Sequence, residues 1–186
     1  INDLYSAIQS VDLIGPAETI ASWTPLEELT ENGGFEFRAM ADDPFESGPW
    51  GENRKFWINS LEEPADAFGL ESPVDGKVIY PLHPNLTWSE AIDPDPLSSV
   101  TYRVELSKTE DFSNPAIYTD IEPTEFTVPD SLENRTTYYW RTTSIDNTGL
   151  ETPADSSESF YIDTTPSIPV SVAPLSGEER LPVADL

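Results

Sequence analysis

The side chains best suited to chemistry in this chain are carboxylates, which offer hard oxygen atoms to a cation. Asp93 and Asp95 lie two residues apart in an Asp-Pro-Asp-Pro segment, and Asp146 begins a second turn-like segment. Calcium prefers several oxygen ligands of this kind, so these three residues are candidate calcium ligands. The chain has no complete EF-hand-type loop, and Asp-Pro pairs also initiate ordinary turns. Solvated turns are therefore the alternative interpretation.

Residues for catalysis are scarce. His83 is the only histidine, and a Ser–His–Asp triad would have to use it. It lies between Pro81 and Pro84 with no nucleophile motif nearby. Paired carboxylates can hydrolyse glycosidic bonds, but they need a cleft, which a small domain rarely offers. We assign no catalytic residue, and calcium is the only candidate cofactor.

Two tryptophans and two sequons mark candidate contact sites. Trp57 alternates out of phase with its apolar neighbours and is expected to face outward, and Trp50 lies in a Gly-Pro-Trp-Gly loop. Either ring could stack on a glycan or partner, although packing against a neighbouring domain of the same chain is the favoured interpretation. Asn85 and Asn134 each begin an Asn-X-Thr glycosylation sequon. Asn134, in a predicted turn, is the more plausible acceptor of the two.

The composition excludes several classes of partner. The net charge is −26, from 35 acidic residues against 9 Lys and Arg. This balance argues against nucleic acid, whose affinity depends on basic side chains meeting phosphates, and against anionic lipid. The absence of cysteine excludes disulfides and thiolate metal sites. No apolar run is long enough to insert into a membrane. Because the first residue is Ile and not Met, we expect a processed or truncated product.

Strand patterns dominate the chain. Residues 100–107 (VTYRVELS) alternate between apolar and polar side chains, as a half-buried strand does. Similar two-residue periods recur at 86–88, 126–128, 138–144 and 160–162, separated by Pro, Asp, Asn, Ser and Gly. This spacing predicts an all-β antiparallel sandwich. The residues predicted to form its core are Trp88, Tyr102, Val104, Leu106, Leu132, Tyr138, Trp140, Phe160 and Ile162.

An internal repeat divides the chain. FEFR at 35–38 resembles YYWR at 138–141, and FWIN at 56–59 resembles FYID at 160–163. Two weaker matches keep the same order and spacing: SPVDG at 72–76 with APLSG at 173–177, and WTP at 23–25 with TVP at 127–129. The spacing of roughly 100 residues is the size of one seven-stranded sandwich. We therefore predict the C-terminal part of a module at 1–62, a complete module at 63–165, and a linker with the first strand of another module at 166–186.

The central segment carries a set of family motifs. In order, these are PVDG at 73–76, LTW at 86–88, DPDP at 93–96, YRVELS at 102–107, YYWR at 138–141, DNTG at 146–149 and SFYI at 159–162. Together they resemble the fibronectin type III family, in the versions common in bacterial surface and secreted proteins. The resemblance implies tandem fibronectin type III-like sandwiches. It also implies that the loops carrying Asp93, Asp95 and Asp146 share one pole, where the acidic linker at 62–66 arrives.

The resemblance further implies a tyrosine corner. Leu132 stands six residues before Tyr138, and a corner tyrosine is expected to donate its hydroxyl to the backbone a few residues upstream. The equivalent residues of the first segment are Leu29 and Phe35. Phe35 can fill the same space but makes no such hydrogen bond.

These features favour a non-catalytic structural, spacer or adhesion array, such as a stalk, surface layer, fibre or adhesin segment, located outside the cell or at its surface. The alternative is an accessory carbohydrate- or protein-binding module of a secreted enzyme. The expected partners are neighbouring modules of the same polypeptide. Self-association and a cell-surface protein or glycan are further candidates.

Overall fold

The computed structural model describes residues 24–25, 27–41 and 44–165, and this part of the chain is all-β, as predicted. The predicted segment 166–186, most of residues 1–26, and the repeat motifs that include Trp23 and residues 173–177 lie outside the described residues. The strands are β1 (Gly34–Phe37), β2 (Arg54–Trp57), β3 (Leu70–Ser72), β4 (Lys77–Ile79), β5 (Asn85–Trp88), β6 (Val100–Ser107), β7 (Ala116–Ile121), β8 (Glu125–Thr127), β9 (Thr136–Asp146), β10 (Glu151–Pro153) and β11 (Glu158–Ile162).

Strands β3 to β11 form the two sheets of a β-sandwich. One sheet has the order β3-β5-β8, and the other has the order β4-β11-β9-β6-β7, with β10 paired to the far end of β9. The longest pairing joins β6 to β9, from Val100 opposite Asp146 to Ser107 opposite Tyr139. Because successive side chains alternate between the two faces of a strand, one face of each sheet supplies the shared core.

The first strand of the sandwich changes sheets. β3 pairs antiparallel with β5, whereas β4, a few residues later, pairs parallel with β11. Pro73 lies between them and has no N–H to donate to a ladder. Asp75 and Gly76 then adopt φ values of 56° and 67°, in the left-handed region that glycine tolerates best. These residues redirect the chain from one sheet edge to the other.

Every residue of the predicted core is buried. At its centre the Trp88 ring meets Tyr102 edge-on, with centroids 5.3 Å apart, and lies 6.4 Å from the Trp140 ring. Each large apolar side chain buried in this way contributes about 1.5–3 kcal/mol before the loss of conformational entropy. Further residues complete the core: Ala65, Phe68, Leu86, Ala91, Ile121 and Val128.

The tyrosine corner is present with the opposite hydrogen-bond direction. The Glu133 N–H donates to the Tyr138 hydroxyl oxygen at 3.0 Å, whereas the sequence predicted that the hydroxyl would donate. Leu132 is buried beside it. The bond provides a partner for a backbone N–H at the turn before β9, a group that is unfavourable when left unpaired.

A separate two-stranded sheet precedes the sandwich. β1 and β2 pair antiparallel with Phe35 opposite Phe56, just as Tyr138 lies opposite Phe160 between β9 and β11. Both ring pairs are stacked, with centroid separations of 5.6 Å and 5.8 Å respectively. The two sheets therefore share register at the residues that the sequence repeat aligns.

Candidate functional site at the linker-facing pole

Two loops of the sandwich meet at one pole. One joins β5 to β6 and carries Asp93, Asp95 and Ser98, and the other joins β9 to β10 and begins at Asp146. The Ser98 hydroxyl lies 2.7 Å from Asp93 Oδ2 and 2.6 Å from Asn147 Oδ1, so it bridges the two loops. Asp93 Oδ1 in turn accepts the Asp95 N–H at 2.9 Å. This local hydrogen bond is typical of Asp in turns.

The linker that enters the sandwich docks on the same pole through Asp95. The Glu63 N–H donates to Asp95 Oδ2 at 2.9 Å. One terminal atom of the Asn59 amide lies 3.0 Å from Asp95 Oδ1 and 2.9 Å from the Leu61 carbonyl oxygen; as nitrogen, this atom donates to both. Asp95 is only 6% exposed. Its carboxylate therefore joins the linker to the sandwich from a nearly buried position.

Asp146 is equally buried, at 6% exposure, and its two oxygens differ. Oδ1 accepts the Thr148 N–H at 2.7 Å, the Thr148 hydroxyl at 2.8 Å and the Leu150 N–H at 2.9 Å. Oδ2 is buried without a hydrogen-bond partner among the described residues. Burial acts to raise the pKa of Asp146, but the hydrogen bonds from Thr148 and Leu150 outweigh it and lower the pKa.

Glu62 brings a further carboxylate to this pole. Desolvation raises its pKa, and the negative charges of Asp95, Asp146 and Asp93 raise it further. Among the described residues, no three His, Cys, Asp or Glu side chains already surround a common point closely enough to hold a metal by themselves. Any cation at this pole would thus need amide or carbonyl oxygens, or movement of a carboxylate.

The candidate contact tryptophans lie in the β1–β2 segment, away from the acidic pole residues in sequence. Trp57 is 45% exposed and Trp50 is 46% exposed. The Arg38 guanidinium lies 4.3 Å from the Trp50 ring centroid, a cation–π contact that covers one face of that ring. Trp57 lies opposite Gly34 in the pair of strands. Both rings keep surface for a partner, and glycan contact stays a prediction.

The two sequon asparagines have different surroundings. The Asn85 side chain spans to β8, donating to Glu125 Oε2 at 3.0 Å and accepting the Thr127 hydroxyl at 3.1 Å. Attachment of a glycan at its amide nitrogen would leave one N–H and would crowd the bond to Glu125 Oε2. Asn134 uses its oxygen to accept the Thr164 N–H at 2.8 Å. Modification at its nitrogen leaves that bond intact, so Asn134 stays the better candidate.

His83 has a structural contact. Its Nδ1 lies 3.1 Å from the Val128 carbonyl oxygen. Two open depressions, of about 280 Å³ and about 420 Å³, occur in the described part of the chain, and His83 lines neither. No helix among the described residues is long and apolar enough to cross a membrane.

Sequence reasoning located the acidic loops and the arriving linker but missed Asn59 and Ser98. The repeat held a signal for Asn59, because this residue aligns with Asp163. An oxygen-bearing side chain therefore lies within two residues of the end of the last strand in both segments. Ser98 carries no comparable signal, since a serine in a polar loop is unremarkable in composition. Only its position between two loops gives it a role.

Comparisons with known proteins give a likeness to solved structures but no match in sequence. No family model matches the sequence, and no curated protein matches it. Among solved structures, the chain is similar to the FN1-FN3 domains of chicken CNTN1, at 10% identity and a TM-score of 0.33. The match covers 69% of this chain and 45% of that chain, less than half its length. A likeness at this level says nothing about ligands or partners.

Proposed function

We propose that this chain is a non-catalytic spacer made of sandwich modules in series, in a secreted or cell-surface protein. The observation that carries the proposal is the repeated aromatic pair, in which Phe35 stacks on Phe56 as Tyr138 stacks on Phe160. On this view, β1 and β2 are the last two strands of a module that precedes the sandwich. The location outside the cell rests on the family resemblance.

The turns that lead into the two strand pairs support the same assignment. Asn32, just before β1, has a φ of 56°, and Arg135, just before β9, has a φ of 57°. The repeat aligns these two residues. Positive φ is uncommon for residues other than glycine, so its recurrence at equivalent positions is a specific similarity of backbone and not only of composition.

The exits from the two strand pairs match as well. After β2, the Ser60 N–H donates to Glu31 Oε1 at 2.7 Å. After β11, the Thr164 N–H donates to Asn134 Oδ1 at 2.8 Å. In each case a side chain of the turn before the first strand caps the chain as it leaves the last one. A capped exit fixes the direction of the next segment.

The linker between the two units is short, and one of its residues, Glu63, is hydrogen-bonded to both units. Asn32 Nδ2 donates to Glu63 Oε2 at 2.9 Å, and the Glu63 N–H donates to Asp95. Pro64 follows at once and restricts the backbone. A linker held in this way supports fixed spacing between modules, whereas a Gly/Ser-rich linker would behave as a flexible coil.

Distance measurements between spin labels test the spacer proposal. The chain has no cysteine, so Glu52→Cys with Glu110→Cys labels the hairpin and the sandwich without background. Glu110→Cys with Glu122→Cys provides a reference pair within the sandwich. All three positions are exposed. In millimolar calcium, we expect the 52–110 pair to give one distance distribution as narrow as that of the reference pair.

A broad or multiple 52–110 distribution beside a narrow 110–122 distribution would refute the spacer proposal, because it would show two independently moving units. As a matched perturbation, Glu63→Ala removes the acceptor of the Asn32 side chain. We expect it to broaden only the 52–110 distribution.

A further inference from the structure

Five side chains gather where the linker meets the sandwich, and we call them the junction cluster: Asn59, Glu62, Asp93, Asp95 and Asp146. Four of them are carboxylates. They come from the linker, from the β5–β6 loop and from the end of β9, so the cluster joins three separate parts of the chain. The hydrogen bonds described above hold the loops and stabilise part of this negative charge, but they bring no positive charge to the cluster.

Among the described residues, none of the ion pairs joins a Lys or Arg side chain to a carboxylate of this cluster. Lys55 pairs with Glu36, and Lys108 pairs with Glu133. The two arginine pairs, Arg103–Glu151 and Arg141–Glu105, also use other carboxylates. Asp95 and Asp146 are each more than nine-tenths buried. A buried charge is strongly unfavourable unless it is paired or coordinates a metal.

One atom of the cluster points to a missing ligand, and a second is compatible with the same ligand. Asp146 Oδ2 is buried with no hydrogen-bond partner among the described residues, although buried polar atoms in native proteins nearly always have one. The second is the terminal atom of the Asn59 amide that faces Asp95 Oδ1 and the Leu61 carbonyl oxygen. If this atom is the amide oxygen, three oxygens converge, and only a cation satisfies that arrangement.

We propose that the junction cluster binds one calcium ion, through the carboxylates of Asp95 and Asp146, the amide oxygen of Asn59 and the Leu61 carbonyl, with Glu62 moving in to complete the site. Glu62 is exposed and has a long side chain, so it can move without disturbing the fold. Asp93 adds charge and shapes its loop through its bonds to Asp95 and Ser98.

The donor set favours calcium over other divalent ions. It consists of carboxylate, amide and carbonyl oxygens, which are hard ligands, and it is irregular. Calcium accepts about six to eight such ligands in flexible geometry, whereas magnesium demands a near-octahedral shell and retains waters. Because the ligands come from both the linker and the sandwich, the ion would hold the linker on the pole. This consequence for module spacing rests on the proposed function, but the binding itself does not.

Calorimetric titration of the full chain with calcium chloride, together with thermal unfolding by circular dichroism, tests the site. We expect one binding event and a rise in Tm with calcium concentration, since a ligand that binds only the folded state stabilises it. Magnesium at the same concentration should give a much smaller shift. Glu62→Gln and Asp95→Asn should each weaken the calcium affinity about tenfold or more.

Glu110→Gln is the matched control, since it removes one exposed charge beyond the other end of β6. It should bind calcium like the unmodified chain. Near-UV circular dichroism without calcium checks that each variant is folded, and Glu62→Gln is the decisive variant because Glu62 is exposed. No binding event and no calcium-dependent Tm shift would overturn the proposal. An equal rise in Tm with magnesium would also overturn it, and so would an undiminished calcium affinity of Glu62→Gln. Either result would indicate that divalent ions only screen the negative charge of the chain.

Calcium binding and module spacing can fail separately. A narrow 52–110 distance distribution without calcium binding would refute the calcium site and support the spacer proposal. Calcium binding with a broad 52–110 distribution would support the calcium site and refute the spacer proposal.

Discussion

Trp88→Phe and Trp140→Phe, made separately, form a matched test of the core. Both indoles are at most 2% exposed, and both substitutions remove the same atoms. Their nitrogens differ, because Trp140 Nε1 donates to the Pro73 carbonyl oxygen at 2.8 Å, whereas Trp88 Nε1 is buried with no partner among the described residues. Trp140→Phe therefore orphans a carbonyl, whereas Trp88→Phe removes an orphaned donor.

The expected magnitude follows from the free energy of an unsatisfied buried polar group, about 1–3 kcal/mol. Trp140→Phe adds this unfavourable free energy, because the Pro73 carbonyl loses its donor. Trp88→Phe removes it, because the unpaired indole nitrogen is no longer present. The area and cavity contributions of the two substitutions are similar and largely cancel in the difference. We therefore expect Trp140→Phe to lower the free energy of unfolding by about 2–6 kcal/mol more than Trp88→Phe does. For a domain of about 100 residues, the difference in Tm is on the order of 10–30 °C.

Urea unfolding followed by far-UV circular dichroism measures both variants without depending on tryptophan emission. Equal slopes of free energy against urea concentration are needed for the comparison, because a changed slope indicates a changed denatured state. If Trp88→Phe proves as destabilising as Trp140→Phe, or more so, then hydrogen bonding does not distinguish the two rings and the reasoning is wrong.

Three further predictions concern single side chains. Tyr138→Phe leaves the Glu133 N–H without its acceptor and should lower the free energy of unfolding by about 1–3 kcal/mol; Tyr139→Phe, on the opposite face of β9, should have little effect, and equal losses in urea unfolding would contradict this. Hydrogen bonds from the side chains of Ser113 and Thr109 and from the Ser113 N–H lower the pKa of Asp111 to about 2. Its stabilising contribution is therefore complete above the ordinary carboxyl pKa and is lost as the pH falls through about 2; a carbon NMR titration showing an ordinary midpoint would refute it. On the accessory-module alternative, Trp57→Ala should abolish glycan-array binding, and an unmodified chain that binds nothing on the array would exclude that alternative.

The alternating segments of the sequence determined the faces of the strands. Along β6, Tyr102, Val104 and Leu106 are all buried, because a period of two places alternate side chains on one face whatever the strand pairs with. The same local property underlies the repeat, whose aligned residues Phe35 and Tyr138 occupy equivalent places in their strand pairs. Fold class and core could therefore be predicted from the sequence.

Residues outside alternating segments could not be predicted as core. Phe68 lies just after the acidic linker, without a strand pattern of its own, yet it is buried and meets the Tyr102 ring edge-on at 5.7 Å. Its burial depends on where the linker lies against the sandwich. Local sequence carries no information on that path, because the contact joins residues far apart in the chain.

In the junction cluster too, the sequence predicted the local structure, and the tertiary packing decided which residues meet. The sequence by itself determined that Asp93, Asp95 and Asp146 lie in loops rich in oxygen donors, since Asp, Asn and Pro are turn residues. Only the tertiary structure decided that Asn59 and Glu63 reach Asp95, that Ser98 joins the two loops, and that one oxygen of Asp146 is buried without a partner. The physical reason is that turn propensity is a property of neighbouring residues. Burial and charge accumulation, in contrast, arise only when distant segments pack together.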